Sequence, residues 1–329
     1  MSSVSEGRFP GSAVPLITRT PARTVLRTDD GVRIEAVYEP CAANTRGAAE
    51  TSFDGTGGGT ADGIAGGTAI VVAHGFTGSV DRPAVRRAAG VFARRAAVVT
   101  FSFRGHGGSG GRSTVGDREV LDLAAAVEWA RSLGHRRVVT VGFSMGGSVV
   151  VRHGALYRER TGDGGEAAGP GGGVSGIGGV SGIGGAGGTG KREGRTTAHP
   201  EAHADAVVAV SAPARWYYRG TAPMRRVHWV VTRPMGRLVG RYGLRTRIDR
   251  DEWDPVPLPP VGAAGLIAPR PLLVVHGDRD PYFPLDHPLM LADAAGDGAE
   301  LWLERGMGHA ENAADEDLLT RIADWAVAP

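Results

Sequence analysis

Three residues have the types and the order that acyl-transfer chemistry needs: Ser144, Asp280 (with Asp278 as its rival) and His309. A serine hydroxyl is a weak nucleophile at neutral pH and needs a base within hydrogen-bond reach. An imidazole can take that proton and return it to the leaving group. A carboxylate behind the ring sets its tautomer and stabilises the imidazolium that forms. Two backbone donors must then meet the oxyanion. The N–H groups of Met145, next after the serine, and of Phe76, in the loop His74-Gly75-Phe76, are the candidates. Removing one such donor costs about 3–4 kcal/mol in other enzymes.

The elements around these residues must place them at one edge. Val138-Val139-Thr140-Val141 reads as a buried strand, Gly142-Phe143-Ser144-Met145-Gly146 as a sharp turn, and the apolar, small-residue stretch after it as a helix. Small neighbours let the turn strain the serine backbone, and the hydroxyl emerges above a helix N-terminus, where developing negative charge is favoured. The pattern alone is weak, because glycine makes up 53 of 329 residues. A second match, Gly107-Gly108-Ser109-Gly110-Gly111, has no apolar helix after it. The run Leu272–His276 leads into Gly277-Asp278-Arg279-Asp280-Pro281, and the run Glu300–Leu303 into Gly306-Met307-Gly308-His309. Both loops belong at strand C-terminal ends, where Ser144 also belongs.

Elsewhere, alternating apolar residues around Asp29-Asp30-Gly31 predict a β-hairpin (24–28 and 32–38). Ala69–Ala73, Ala97–Phe101 and Ala206–Val210 predict strands, and 82–95, 119–133 and 316–327 predict helices. Strands alternating with helices imply a mostly parallel α/β sheet. Residues 1–23 read as an arm and 24–160 as the first part of a core, with a flexible loop at 41–67. Residues 161–205 read as a Gly-rich disordered insertion, in which Val-Ser-Gly-Ile-Gly-Gly occurs at 174–179 and 180–185. Residues 206–211 are a core strand, 212–262 a separate cap, and 263–329 the last part of the core.

A formal charge of +2 gives no reason to expect nucleic acid as a partner. The one cysteine, Cys41, excludes an intramolecular disulfide and reads as an incidental thiol. No secretory signal or membrane-spanning run is evident, so the cytoplasm is the expected compartment. His135, His153, His199, His203, His228 and His287 show no metal-ligand spacing, and no cofactor is expected. His74, His106 and His276 precede glycines at strand ends or in loops and read as loop-ordering residues.

Taken together, His74-Gly75-Phe76, Arg104-Gly105-His106-Gly107-Gly108-Ser109, Gly142-Phe143-Ser144-Met145-Gly146-Gly147, His276-Gly277-Asp278-Arg279-Asp280 and Gly308-His309 resemble the α/β-hydrolase superfamily. The likeness is to its serine esterase, lysophospholipase-like and S33- or S9-peptidase-like members. The order serine, acid, histidine is the one that fold uses. The resemblance implies about eight strands flanked by helices, a Ser144–Asp280–His309 triad, and a cap after the sixth strand. It favours Asp280 over Asp278. The implied activity is cleavage of a carboxylic ester of a small-molecule acyl substrate. Peptidase or thioesterase action on the same triad, or an idle binding or sensor protein, are the alternatives. The Gly-rich insertion is not a family feature, and the cap matches no subfamily.

Between Ser211 and Ile248 the cap carries nine arginines and no carboxylate. The favoured reading is a solvated face, with arginines packed over Trp216, Trp229 and Trp253. The other is a lid that attracts anionic substrates, or that associates weakly with an anionic membrane surface.

Overall fold

A computed structural model describes residues 21–42, 67–158 and 200–329. The sheet has eight strands in the order β1-β2-β4-β3-β5-β6-β7-β8. These are β1 (Ala22–Arg27), β2 (Arg33–Glu39), β3 (Thr68–Ala73), β4 (Ala97–Phe101), β5 (Arg137–Phe143), β6 (Ala206–Val210), β7 (Leu272–Gly277) and β8 (Ala299–Glu304). The hairpin β1–β2 is antiparallel, and β2 is also antiparallel to β4. Every other pairing is parallel. The interior strands are continuous apolar runs because both faces are covered. On β3, Ala69, Val71 and Ala73 face one core, while Ile70 and Val72 face the other.

The first core is closed by α2 (Glu119–Ser132), α3 (Met145–Leu156), α6 (Pro260–Ala264) and α7 (Asp286–Ala295). The second is closed by α1 (Pro83–Phe92), the short α8 (Ala310–Ala313) and α9 (Glu316–Val327). Helix α7 has no counterpart in the sequence reading. Its apolar periodicity is slight, and only His287, Pro288 and Leu291 are buried. The register and twist that follow from this order bring the C-terminal ends of β3, β5, β6, β7 and β8 to one edge.

The arm at 1–20 and most of the loop and insertion (43–66 and 159–199) lie outside the described residues. At 200–205 the chain is already part of the core, earlier than its composition suggests. Ala202 and Ala204 are fully buried, and the Asp205 carboxylate accepts a hydrogen bond from the Val138 N–H at 2.6 Å. Cys41 is buried at the end of β2, which fits a packing role for a thiol better than a reactive one.

After β6 the chain forms α4 (Ala222–Thr232) and α5 (Pro234–Tyr242), two helices packed on each other. They return through a segment bonded to the loop after β4. The Arg247 N–H donates to the Gly105 carbonyl at 2.8 Å, and the Ser113 N–H donates to the Arg247 carbonyl at 2.7 Å. Glu119, buried at the start of α2, shapes this loop. Its two oxygens accept from Ser113 Oγ, Thr114 N and Oγ1, and Gly116 N at 2.7–2.9 Å.

The expected arginine cover over the cap tryptophans differs from what is found. Trp216 and Trp253 lie against each other, with ring centres 5.1 Å apart. The guanidinium over Trp216 is that of Arg152, which projects from α3 and not from the cap. Trp229 is left 47% exposed. Among the cap arginines, the Arg215 guanidinium lies over Tyr218 and that of Arg241 over Tyr242.

Candidate active site

Ser144 ends β5 and precedes α3, with φ 52° and ψ −114°. A side chain seldom adopts this backbone, and it persists only where its surroundings enforce it. The Ser144 N–H is held by the Val210 carbonyl of β6 at 2.8 Å. The turn closes tightly against the neighbouring strand, so a Cβ on Gly146 would stand 2.2 Å from the Ala73 carbonyl oxygen. Only glycine fits there.

His309 Nε2 lies 2.8 Å from Ser144 Oγ, and His309 Nδ1 lies 2.7 Å from Asp280 Oδ2. The second oxygen of Asp280 accepts from the N–H groups of Tyr282 (2.8 Å) and Phe283 (3.1 Å). The Asp280 side chain is fully buried. Burial raises its pKa. The His309 hydrogen bond and charge, with the two N–H donors, outweigh that and hold the carboxyl below its ordinary value. Asp278 is exposed and accepts from Gly306 N at 2.6 Å. Of the two candidate acids, Asp280 is thus the one in contact with the histidine.

The loop carrying His309 crosses closely over the end of β7. A Cβ on Gly277 would meet the Met307 carbonyl oxygen at 2.1 Å, so glycine is required. Behind the histidine, the Ala310 N–H donates to buried Ser211 Oγ at 3.0 Å. Tyr282 stacks on the His309 ring at 4.3 Å. Its contribution was not readable beforehand, because stacking depends on the loop path.

Met145 is the first residue of α3, so its N–H has no acceptor within the helix. Phe76 lies in the loop after β3, where the Gly78 N–H donates to the Gly75 carbonyl at 2.9 Å. Both residues line the same cavity as Ser144. His74 orders this loop. Its Nε2 accepts from the Phe103 N–H at 3.0 Å, so its Nδ1–H donates to the Gly75 carbonyl at 2.7 Å. Burial pushes the His74 pKa down to about 3, and the ring stays neutral in this tautomer. His276 similarly donates from Nε2 to the Phe283 carbonyl at 2.9 Å, and His106 from Nδ1 to the Arg104 carbonyl at 3.0 Å. Ser109, in the second Gly-x-Ser-x-Gly match, is buried; it donates to the Ser102 carbonyl and accepts from Glu35 N.

Glu311 is a residue to which the sequence assigns no role. Its side chain is largely buried and accepts from the Gly75 N–H at 3.3 Å, bracing the loop that carries Phe76. It lies two positions after His309, and that proximity is the only signal the sequence offers.

The cavity above Ser144 has a volume of about 1130 Å³. Its wall includes Trp216, Tyr217, Tyr218, Trp253, Tyr282 and Phe283. Arg215, Arg219, Arg226, Asp249, Asp251 and Glu252 add charge beside these aromatic residues, and a concave cavity of this size is the usual form of a small-molecule site. Among the described residues no group of three or more His, Cys, Asp or Glu is placed to hold a metal ion.

An eight-stranded, mostly parallel sheet with a serine at this strained strand-to-helix turn defines a class, and the sequence agrees with it. The model of the alpha/beta hydrolase family matches residues 70–321, and the chain belongs to that family. Among solved structures it is similar to the esterase Pf2001 of Pyrococcus furiosus, with 17% identity over 97% of this chain and 95% of that one, TM-score 0.58. It is also similar to the alpha/beta hydrolase GrgF of Penicillium sp. sh18, with 14% identity over 93% and 98%, TM-score 0.57. At these identities the likeness speaks for the fold. No curated protein sequence matches the chain.

Proposed function

We propose that this hydrolase cleaves carboxylic esters through a covalent acyl-serine intermediate. The observation that carries the reading is the hydrogen-bonded series Asp280–His309–Ser144, at 2.7 and 2.8 Å, on a strained strand-to-helix turn. His309 takes the Ser144 proton as the hydroxyl attacks the ester carbonyl carbon. The carbonyl oxygen gains negative charge between the N–H groups of Met145 and Phe76. Collapse expels the alcohol, to which His309 returns the proton. Water then repeats the cycle on the acyl-serine and releases the acid. The aromatic wall of the cavity supports an acyl or alcohol group of substantial apolar size. That the solved relative Pf2001 is an esterase favours the ester over the amide.

The test is pre-steady-state hydrolysis of a p-nitrophenyl ester series of rising acyl length. A burst of p-nitrophenol equal to the enzyme present is expected, with kcat/KM rising with acyl length. A linear trace without turnover across the whole series would turn the reading towards a binding protein.

Asp280→Asn is expected to lower kcat about 10⁴-fold by favouring the wrong tautomer of His309. It also has a signature in stability. A carboxyl whose folded pKa is depressed contributes stability above its unfolded pKa of about 3.9, lost as pH falls through the folded value. Acid-unfolding curves should therefore show a steep limb below about pH 4 that is shallower in Asp280→Asn. Superimposable curves would mean that the carboxylate is not selectively stabilised in the folded protein.

Glu311→Ala is expected to reduce kcat roughly 10- to 100-fold with little change in KM. The hydrogen bond it removes is made to a carboxylate and is worth about 1.5–3 kcal/mol. Glu311→Gln, which keeps an acceptor, should recover most of the rate. Equal loss in both variants would show that the charge and not the brace matters.

A further inference from the structure

Helix α5 leaves one face without a partner. Met235, Leu238, Val239 and Tyr242, at spacings that fall on one side of a helix, are 45–72% exposed. The opposite side carries Gly236 and Gly240, which lie against α4 and against Ile248. The helix is thus packed through its small residues and turns its large apolar ones outward. Exposed Trp229 of α4 adds to them. A contiguous apolar stripe of this kind marks a surface that meets something other than water.

A second cavity, of about 360 Å³, opens along the edge of that stripe and shares Leu238 and Tyr242 with it. Its wall holds Arg112, Arg237, Arg241, Arg247 and Arg250, and no carboxylate. Among the described residues none of the five forms an ion pair. Two are held in place by the backbone: Arg237 Nη1 donates to the Thr232 carbonyl at 3.1 Å, and Arg247 Nη2 to the Ser109 carbonyl. The Arg241 guanidinium lies over the Tyr242 ring, 5.5 Å from its centre. The nearby Asp249 faces the larger cavity, and its Oδ1 accepts from Arg250 N at 2.7 Å. Arg237 and Arg250 also line the larger cavity, where Asp249, Asp251 and Glu252 stand, but the smaller cavity has five arginines and no carboxylate in its lining, which suits a multiply charged anion such as phosphate.

We propose that α5 docks the protein on an anionic phospholipid bilayer, the apolar stripe entering the interface and a lipid phosphate entering the arginine-lined cavity. An amphipathic helix with arginines along its flank binds such a surface by apolar burial and charge together. The two features adjoin, so one lipid satisfies both: its phosphate the arginines, its glycerol and upper acyl region the stripe. Docked in this way, the cap lies at the membrane surface, and the mouth of the larger cavity shares α4 and α5 with the docking face. Docking requires no hydrolysis and stands or falls separately from the proposed reaction.

The experiment is vesicle flotation of the full chain carrying Ser144→Ala, so that no turnover contributes. Vesicles are phosphatidylcholine alone or phosphatidylcholine mixed with phosphatidylglycerol. Binding is expected only to the mixed vesicles and should weaken as salt rises. Arg112→Gln with Arg241→Gln should weaken it about fivefold for each arginine, or about 25-fold for the pair. Leu238→Ser with Tyr242→Ser should also abolish flotation at low salt. Circular dichroism and thermal melting of each variant should match the parent. Failure to float with the mixed vesicles, or unchanged flotation of both variants, overturns the proposal. Inorganic phosphate raising the melting temperature of a protein that ignores vesicles would assign the cavity to a soluble anion. A lipid-free dimer lost in Leu238→Ser with Tyr242→Ser, with no flotation of the parent, would assign the stripe to a second copy.

Discussion

Ser144→Ala should lower kcat for ester hydrolysis by about 10⁴- to 10⁶-fold and abolish labelling by a fluorophosphonate probe. The size follows from the unit the residue belongs to. In the proposed reaction His309 and Asp280 act only through the hydroxyl that Nε2 contacts, so removing it would idle all three. What survives is the cavity and the two N–H groups, which can still polarise a bound carbonyl for attack by water. The substitution is small, and the strained φ of 52° is no worse for alanine than for serine, so stability should barely change. The measurements are initial rates on the best ester found and gel fluorescence of the probe-treated protein. An alanine variant labelled as fast as the parent would move the nucleophile elsewhere.

Asp122→Ala should destabilise the fold by about 3–5 kcal/mol, the range for breaking a buried ion pair by removing one partner. Arg104 and Asp122 are both buried, at side-chain exposures of 3% and 0%. The carboxylate accepts from Arg104 N at 2.8 Å, Nε at 3.0 Å and Nη2 at 2.8 Å. The remaining guanidinium donors reach Asp30 at 2.7 and 3.0 Å. Burial works against both charges and pushes the Asp122 carboxyl up to about 7; for Arg104 the Asp122 charge and the bonds to Asp30 and Asp122 more than offset burial and raise its pKa, so the pair holds its charge on the arginine side. Without Asp122 that charge remains inside, half satisfied. The loop from 104 to 116 carries His106, whose ring touches His74 and Phe76, so activity should fall along with stability. Urea unfolding of parent and variant checks this. A loss below about 1 kcal/mol would show that water or Asp30 replaces the lost partner.

The strands were legible in the sequence because the sheet is covered on both faces, so each interior strand is a short unbroken apolar run. The hairpin was legible from Asp29-Asp30-Gly31 for a local reason, since a tight turn needs little besides its own residues. Helix α7 was not, because its burial depends on where α6 and β7 lie. Ser144 and His309 stood out because each follows a strand and sits in a Gly-containing loop. The choice between Asp278 and Asp280 turned on side-chain direction after β7, which spacing alone does not supply. Glu311 and Tyr282 act by reaching across to loops set apart in the chain, and no local pattern announces such contacts.

Residue order and apolar periodicity by themselves determined that this chain folds as an α/β sheet with a serine at a strand-to-helix turn, because those features depend on neighbours a few positions away. The resemblance favours Asp280 over Asp278, and the tertiary structure brings Asp280 and not Asp278 to within 2.7 Å of His309. The tertiary structure alone decided that the cap turns Met235, Leu238, Val239 and Tyr242 outward while gathering arginines from two distant segments into one cavity. Both outcomes depend on how separate elements pack: packing joins Asp280 to a histidine 29 positions on, and Arg112 to arginines more than a hundred positions on.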